Sequence, residues 1–219
     1  MKNNLKLNFI KSLFFLGFLI LGGFAFGQNK IDFSEIKKNV QDKESPYYYE
    51  RLLFKFRGMP QSIDSTEAFN LYYGSKFTDH HLEEMNPNFS KFREKFQQRD
   101  FKEAIKIGED LHFKAPTNLE VLLILLQCYE QEKNQNKFVW TIQKFRMISA
   151  TVLTSGEGNK EYSPYLVNTV GEEYVLLNLL KVPFQNYKRS SKSTKDGMMD
   201  IWEKDGEKIY INVVGYAPE

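Results

Sequence analysis

The chain has 219 residues and carries 30 lysines and arginines against 28 aspartates and glutamates, with a single cysteine. Three of those lysines lie in the first 27 residues, so the remainder holds 27 basic and 28 acidic side chains and is nearly neutral. This balance argues against a nucleic-acid-binding protein, which needs a clustered excess of basic side chains to displace counterions from phosphates. One cysteine cannot form an internal disulfide.

The first 27 residues have the three parts of a secretory signal peptide. Lys2, Lys6 and Lys11 form a positively charged start, an apolar run extends from Leu13 to Phe26, and small residues end the segment. The run is shorter than the roughly 20 residues that a membrane-spanning helix needs. We therefore predict an exported protein, periplasmic or associated with the cell envelope, which is soluble and has no integral membrane segment once residues 1–27 are removed.

Three short amphipathic helices are predicted next. Apolar residues recur at intervals of two to four residues from Ile31 to Val40, and at three to four from Tyr48 to Phe56 and from Ala68 to Tyr72. Either Asp64 or Ser65 is a candidate N-cap of the third helix, since both side chains can accept a hydrogen bond from a free backbone N–H.

The centre of the chain predicts four longer helices. Two of them fit between residues 88 and 113 with a break at 98–100, and Asn118 can cap a third that is apolar enough to be buried. A fourth runs through residues 138–152. Asp100 falls on Asn134 when the helices are superposed with a period of about 34 residues, which is the tetratricopeptide length. We expect tetratricopeptide-like helical hairpins, with flanking helices covering their apolar faces.

The last part of the chain predicts β-structure. Residues 198–203 and 208–214 alternate apolar and polar side chains around Asp205-Gly206, a strong hairpin signal. Residues 174–177 are apolar and fit a strand or a helix, and the basic stretch 188–195 suits a solvated loop or an edge strand. The fold class is α+β: antiparallel helical hairpins over 30–155, then a small antiparallel sheet, mainly β over 170–215, in a single domain over 28–219.

Several short blocks resemble a known family, the domain of unknown function 4919. The resemblance extends over most of the chain after the signal, from about Phe33 to Val214. It implies a secreted protein of Bacteroidetes-type bacteria and a periplasmic or envelope location, and it brings no established activity. The blocks are Pro46–Tyr49, Leu71–Gly74, Ser155–Gly158, Glu173-Tyr174 and Lys208–Asn212.

Residues capable of chemistry are scattered. The tract from Asp79 to Glu84 contains His80 and His81, but adjacent histidines point in different directions, so an exposed connector is favoured over a metal site. Cys128 lies within an apolar helix, where burial would raise its pKa and make it a core residue rather than a nucleophile. His112 lies near the end of a helix, where a cation stabilises the helix dipole.

The tyrosine blocks and the Ser-Gly-Glu-Gly loop (Ser155–Gly158) are the strongest binding candidates. Tyrosines combine large apolar faces with hydroxyls and suit a surface that grips a peptide or a sugar. The alternative is that some of the tyrosines lie in the core and that the loop is only a special turn. The predicted binding residues are Tyr47, Tyr49, Tyr72, Tyr73, Ser155, Gly156, Glu157 and Gly158.

No set of residues converges on a catalytic pattern, so we predict a non-enzymatic module of the cell envelope that binds a protein or peptide. The alternative is a hydrolase of envelope glycan or peptide that acts through Glu157 and neighbouring tyrosines. A glycosidase would need two carboxylates at a fixed separation, for which Glu50, Glu157, Glu172 and Glu173 are candidates. No cofactor, metal or nucleic-acid partner is expected, and the sequence leaves the oligomeric state open.

Overall fold

The computed structural model describes residues 31–82 and 86–214. The predicted signal peptide, residues 1–27, and Glu83 and Glu84 of the histidine tract lie outside the described residues. None of the described helices combines the length and apolar composition needed to cross a membrane.

Three short helices open the described chain: α1 (Phe33–Gln41), α2 (Tyr49–Gly58) and α3 (Ser65–Gly74). Of the two candidate caps, Asp64 is the N-cap of α3: its side chain accepts from the backbone N–H of Glu67, whose own carboxylate accepts from the backbone N–H of Asp64. This reciprocal capping box satisfies two donors that a helix end would otherwise leave free.

Four longer helices follow in consecutive packed pairs, each with a side-chain N-cap. Asp100 and Asn134, 34 residues apart, cap corresponding helices, so the predicted period agrees with the helix starts. The tetratricopeptide-like character of these hairpins stays a prediction. The helices are α4 (Pro87–Gln97), α5 (Phe101–Lys114), α6 (Leu119–Gln131) and α7 (Gln135–Leu153).

The C-terminal part contains a four-stranded sheet and one further helix, α8 (Val170–Leu179). The strand order is β1-β4-β3-β2, and β2 is an edge strand whose side chains are almost all exposed. Asp205 and Gly206 both have positive φ in the turn between β3 and β4, as a two-residue hairpin requires. The strands are β1 (Tyr165–Val167), β2 (Lys188–Thr194), β3 (Gly197–Lys204) and β4 (Glu207–Val213).

The fold class is α+β, as predicted, but the sheet is mixed and the prediction of a purely antiparallel sheet was wrong. β1 pairs in parallel with β4, with Tyr165 opposite Ile211, whereas the other two pairs are antiparallel. Parallel pairing needs a long connection between the two strands, and α8 and the β2–β3 hairpin supply it. Residues 170–179, placed in the mainly β part, form a helix instead.

Two apolar clusters form the interior. The larger one joins α1, α2 and α3 to one face of α6, to α7 and α8, and to the inner face of the sheet. The smaller one lies among α4, α5 and α6, and it includes Phe92 and Cys128. Cys128 is fully buried and burial raises its pKa to about 11, which agrees with a core role.

Candidate functional site

A groove of about 610 Å³ lies between α4 and the N-terminal ends of α6 and α8. Because helix ends and a half-covered helix face meet there, large apolar side chains remain accessible at its walls. Such a concave, mostly apolar surface with a few polar groups is typical of binding sites. The apolar walls are formed by Leu82, Phe89, Phe96, Ile124, Val170 and Tyr174.

The main charged feature of the groove is the ion pair between Arg93 and Glu120. The guanidinium donates from Nε to Oε1 at 2.7 Å and from Nη2 to Oε2 at 2.6 Å, a two-bond fork. It also lies over the ring of Phe89, 4.5 Å from the centroid. The Arg93 side chain keeps 44% of its surface exposed against 16% for Glu120, so the guanidinium is the more accessible partner.

The Arg93 guanidinium retains hydrogen-bonding capacity. An arginine side chain has five N–H donors, and the fork to Glu120 uses two of them. Within the described residues, no other acceptor is bonded to this side chain. Arg93 can therefore donate to a carbonyl or carboxylate oxygen of a molecule in the groove.

Glycine at position 171 allows Glu120 to lie against the start of α8. A Cβ atom there would fall 1.8 Å from Glu120 Oε2 and 3.1 Å from Arg93 Nη2. The carboxylate thus sits close to the backbone of the first turn of α8, where the helix dipole favours a negative charge. Any side chain at 171 would displace the ion pair and change the floor of the groove.

Directly behind the groove, Glu172 holds α8 to the helices. This carboxylate is buried and accepts four hydrogen bonds: from the Leu119 N–H at 2.8 Å, the Tyr72 hydroxyl at 3.0 Å, and the N–H groups of Asn168 and Thr169, each at 3.1 Å. Burial raises the pKa of Glu172 to about 7 despite these donors. One side chain therefore fixes the start of α8 to α3 and α6.

The neighbouring Glu173 points to the sheet. It accepts from Trp202 Nε1 at 2.5 Å and from Arg189 Nη2 at 2.9 Å, and Arg189 also donates to Asp200 at 2.6 Å. Burial raises the pKa of Glu173, and Arg189 partly offsets the effect. Arg189 also lies 3.3 Å from the hydroxyl of Tyr174, so this network continues to the wall of the groove.

The structure places Tyr72 and Tyr73 in the interior. Both are fully buried, and the Tyr73 hydroxyl donates to the Leu166 carbonyl at 3.1 Å. Ser155 Oγ accepts from the Leu166 N–H at 2.8 Å. The second tyrosine block and the Ser-Gly-Glu-Gly loop therefore do meet, but they meet at the backbone of β1 rather than on an open surface. Their direct part in binding stays a prediction.

The first tyrosine block lies elsewhere. Tyr47 is half-buried against the larger core cluster, and Tyr49 is buried. The ring of Tyr49 stacks on His80, with centroids 5.3 Å apart, and His80 Nε2 lies 2.9 Å from a carboxylate oxygen of Glu50. These side chains border a second depression of about 320 Å³ between α2 and the segment after α3.

The Ser-Gly-Glu-Gly loop joins α7 to the sheet. Gly158 has φ +72°, a conformation that glycine adopts without strain, and its carbonyl accepts from the Tyr210 N–H at 2.7 Å. Gly156 packs against the backbone of Pro164, and Glu157 is exposed and pairs with Lys160 at 2.7 Å. The loop geometry is that of a turn fixed to β4.

Metal-capable side chains do not assemble in the described part of the chain: no three His, Cys, Asp or Glu residues there are placed to share an ion. His112 differs from expectation. Burial, together with Lys144 and Arg57, lowers its pKa to about 3. A lowered pKa disfavours the imidazolium that the predicted role of His112 at the end of α5 requires.

The sequence interpretation missed the groove. The spacing of Phe89 and Phe96 indicates only an amphipathic helix, and Arg93 and Glu120 lie 27 positions apart without a motif. Helical spacing does place Phe89, Arg93 and Phe96 on one face, but nothing local shows that this face is only half covered.

One comparison with known proteins gives a match. The family model described as "Domain of unknown function (DUF4919)" matches residues 34–217. No curated protein and no solved structure matches the chain significantly.

Proposed function

The chain belongs to the domain of unknown function 4919 family, and we propose that it is an exported, non-enzymatic protein that binds a peptide segment of an envelope partner in the groove between α4, α6 and α8. The observation that carries this proposal is the groove itself, with accessible aromatic walls and an arginine that has donors to spare. The signal pattern of residues 1–27 supports export.

The shape and composition of the groove favour a peptide. Phe89, Phe96 and Tyr174 are half-buried, so each ring is fixed by the fold and still offers one face. Rigid aromatic side chains lose little conformational entropy on binding and are frequent anchors of protein interfaces. A segment with two or more apolar side chains would cover these faces and remove them from water.

The charge of the groove indicates which polar groups a bound peptide should carry besides its apolar side chains. The remaining N–H groups of Arg93 need an acceptor, while Glu120 already neutralises the net charge. A backbone carbonyl or a single carboxylate of the peptide fits this requirement. A strongly basic segment does not, because Arg93 is the more exposed member of the pair and would repel it.

The hydrolase alternative gains no support from the candidate carboxylates. Glu172 and Glu173 are buried in hydrogen-bonded networks, Glu157 pairs with Lys160, and Glu50 lies beside His80. No observation places two of them across a cleft. Hydrolysis of envelope glycan or peptide therefore stays a prediction from the sequence.

Selection of peptides from a random library on the purified protein would test the proposal. We expect enrichment of segments with two or three apolar residues and few lysines or arginines. Phe96→Ala should weaken the binding of a selected peptide by at least about tenfold, because truncation of a central aromatic anchor costs about 2 kcal/mol or more. Titration calorimetry measures the affinity.

Phe54→Ala is the matched control. Phe54 lies on α2, is 77% exposed and does not line the groove, so its removal should leave the affinity unchanged. Failure to enrich any peptide, or equal loss of affinity in both variants, would contradict a peptide site in this groove.

A further inference from the structure

Three basic side chains from three helices come together outside the groove: Arg57 at the end of α2, His112 in the last turn of α5, and Lys144 in α7. Lys144 Nζ lies 3.4 Å from His112 Nε2 and 5.4 Å from the centroid of the Phe56 ring. Arg57 lies beside them, because its Nη2 donates to the carbonyl of Phe113, the residue after His112. Its charge also contributes to the lowered pKa of His112 and of Lys144.

This basic cluster pairs with no carboxylate in the described part of the chain. Among the described residues, no aspartate or glutamate forms an ion pair with Arg57, His112 or Lys144. Arg57 instead donates to the carbonyl of Phe113 at 3.0 Å and lies over the ring of that residue. A carbonyl and two aromatic faces compensate two cations only partly, because none of them carries a full negative charge.

The hydrogen bonds of His112 are also incomplete. A lysine ammonium has only donors, so Nε2 must accept the bond from Lys144 and the ring proton must be on Nδ1. Nδ1 is buried and has no hydrogen-bond partner within the described residues. A buried donor without an acceptor costs free energy, and an individual case in a native protein calls for an explanation.

Aromatic surface adjoins these cations. Phe113 is 69% exposed, and Trp140, which is 47% exposed, lies one turn before Lys144 on α7 and therefore on the same helix face. Exposed aromatic rings beside unpaired cations suit a ligand that has an anionic group on a planar or apolar body.

We propose that the basic cluster of Arg57, His112 and Lys144 binds an oxyanion, the carboxylate or phosphate of a small ligand. The anion accepts hydrogen bonds from the N–H groups of Arg57 and Lys144, and it supplies the negative charge that the cluster lacks. This site is separate from the groove, since none of its residues lines the groove, and it does not depend on the function proposed there.

The three histidines of the chain allow a direct test by ¹⁵N NMR of the imidazole rings. The purified protein is titrated at fixed pH and ionic strength with inorganic phosphate in one series and sodium benzoate in another, each against sodium chloride. We expect the His112 resonances to shift and saturate, while those of His80 and His81 stay unchanged. Saturation by benzoate alone assigns a carboxylate ligand, and by phosphate alone a phosphate.

Substitution separates a site from general charge effects. Lys144→Met should weaken the binding of the oxyanion at least tenfold. Lys106→Met, at an exposed position of α5, should leave the affinity unchanged. Arg57→Gln is the second variant, because Arg57 is exposed and its loss leaves the core intact. Absence of any saturable His112 shift, or equal affinities in all variants, would overturn the proposal.

Discussion

The N-terminal end of α8 separates two regions that use the same chemistry in opposite ways. On one side, the joint formed by Tyr72, Glu172 and the backbone of 166–169 is closed: the carboxylate is buried and accepts four hydrogen bonds. On the other side, the groove is open, and its Arg93–Glu120 pair leaves donors accessible. A carboxylate lies near the same helix end in both regions, but only in the groove does its partner, Arg93, keep hydrogen-bond donors accessible.

This difference shows why hydrogen-bond satisfaction is a better guide to function here than residue type. Tyrosines and glutamates suggest a binding surface, but those at the joint form their hydrogen bonds within the fold. The groove has fewer polar groups, and one of them, the Arg93 guanidinium, still has N–H donors without an acceptor among the described residues. Substitutions in the joint and in the groove should therefore have different effects.

The largest effect is expected for Glu172→Gln. Both oxygens of the Glu172 carboxyl can accept hydrogen bonds in either protonation state, whereas the amide nitrogen of glutamine can only donate, so buried donors are left unpaired. We expect a loss of about 3 kcal/mol in the free energy of unfolding at pH 5, where most of the Glu172 carboxyl is neutral in the native protein. Denaturant unfolding measures it.

Glu120→Gln is the control on the groove side. The amide oxygen can still accept from Arg93, and the pair is partly exposed, so the loss should stay below about 1 kcal/mol. Equal destabilisation by the two substitutions at pH 5 would show that the joint and the groove do not differ in this way.

A smaller effect is expected from pH. The native pKa of Glu172 lies near 7, above the ordinary value of 4.5, so the native state binds the proton more tightly and stability falls as pH rises from about 4.5 to about 7. The raised pKa of Glu173 acts in the same direction. His112, with a native pKa lowered to about 3, acts in the opposite direction below pH 6.5.

Comparison of the wild type with Glu172→Gln at each pH isolates the contribution of Glu172, since the other groups cancel. The difference between them should narrow from pH 5 to pH 7.5 by up to about 3 kcal/mol, at about 1.4 kcal/mol per unit of pKa. A constant or widening difference would mean that Glu172 is ionised throughout.

Local signals predicted most of the fold. Asp100, Asn118 and Asn134 begin helices because a cap needs only the next three residues, and Asp205-Gly206 specifies its own turn. The predictions that failed concern segments whose structure depends on contacts with distant parts of the chain. The three residues of β1 are too few for a pattern, and the apolar stretch of α8 fits both periodicities because that helix is covered on nearly all sides.

The candidate site was much less predictable than the fold. Arg93 and Glu120 come together only through the packing of α4 on α6, and the space beside them depends on glycine at 171. In the other direction, the sequence gives no sign that Glu172 would be buried, since a glutamate is rarely buried unless it is paired. Both features depend on contacts between distant segments.

The most direct test of the central claim is photocrosslinking in the cells that produce the protein. A photoreactive benzoylphenylalanine is placed at Val170, in the groove, or at Phe54, on the exposed face of α2. We predict that the probe at position 170 crosslinks to a discrete partner and that the probe at position 54 does not. Phe96→Ala should abolish this crosslink. Crosslinks from position 54 alone, or no crosslink from 170 in the folded protein, would contradict a binding groove between α4, α6 and α8.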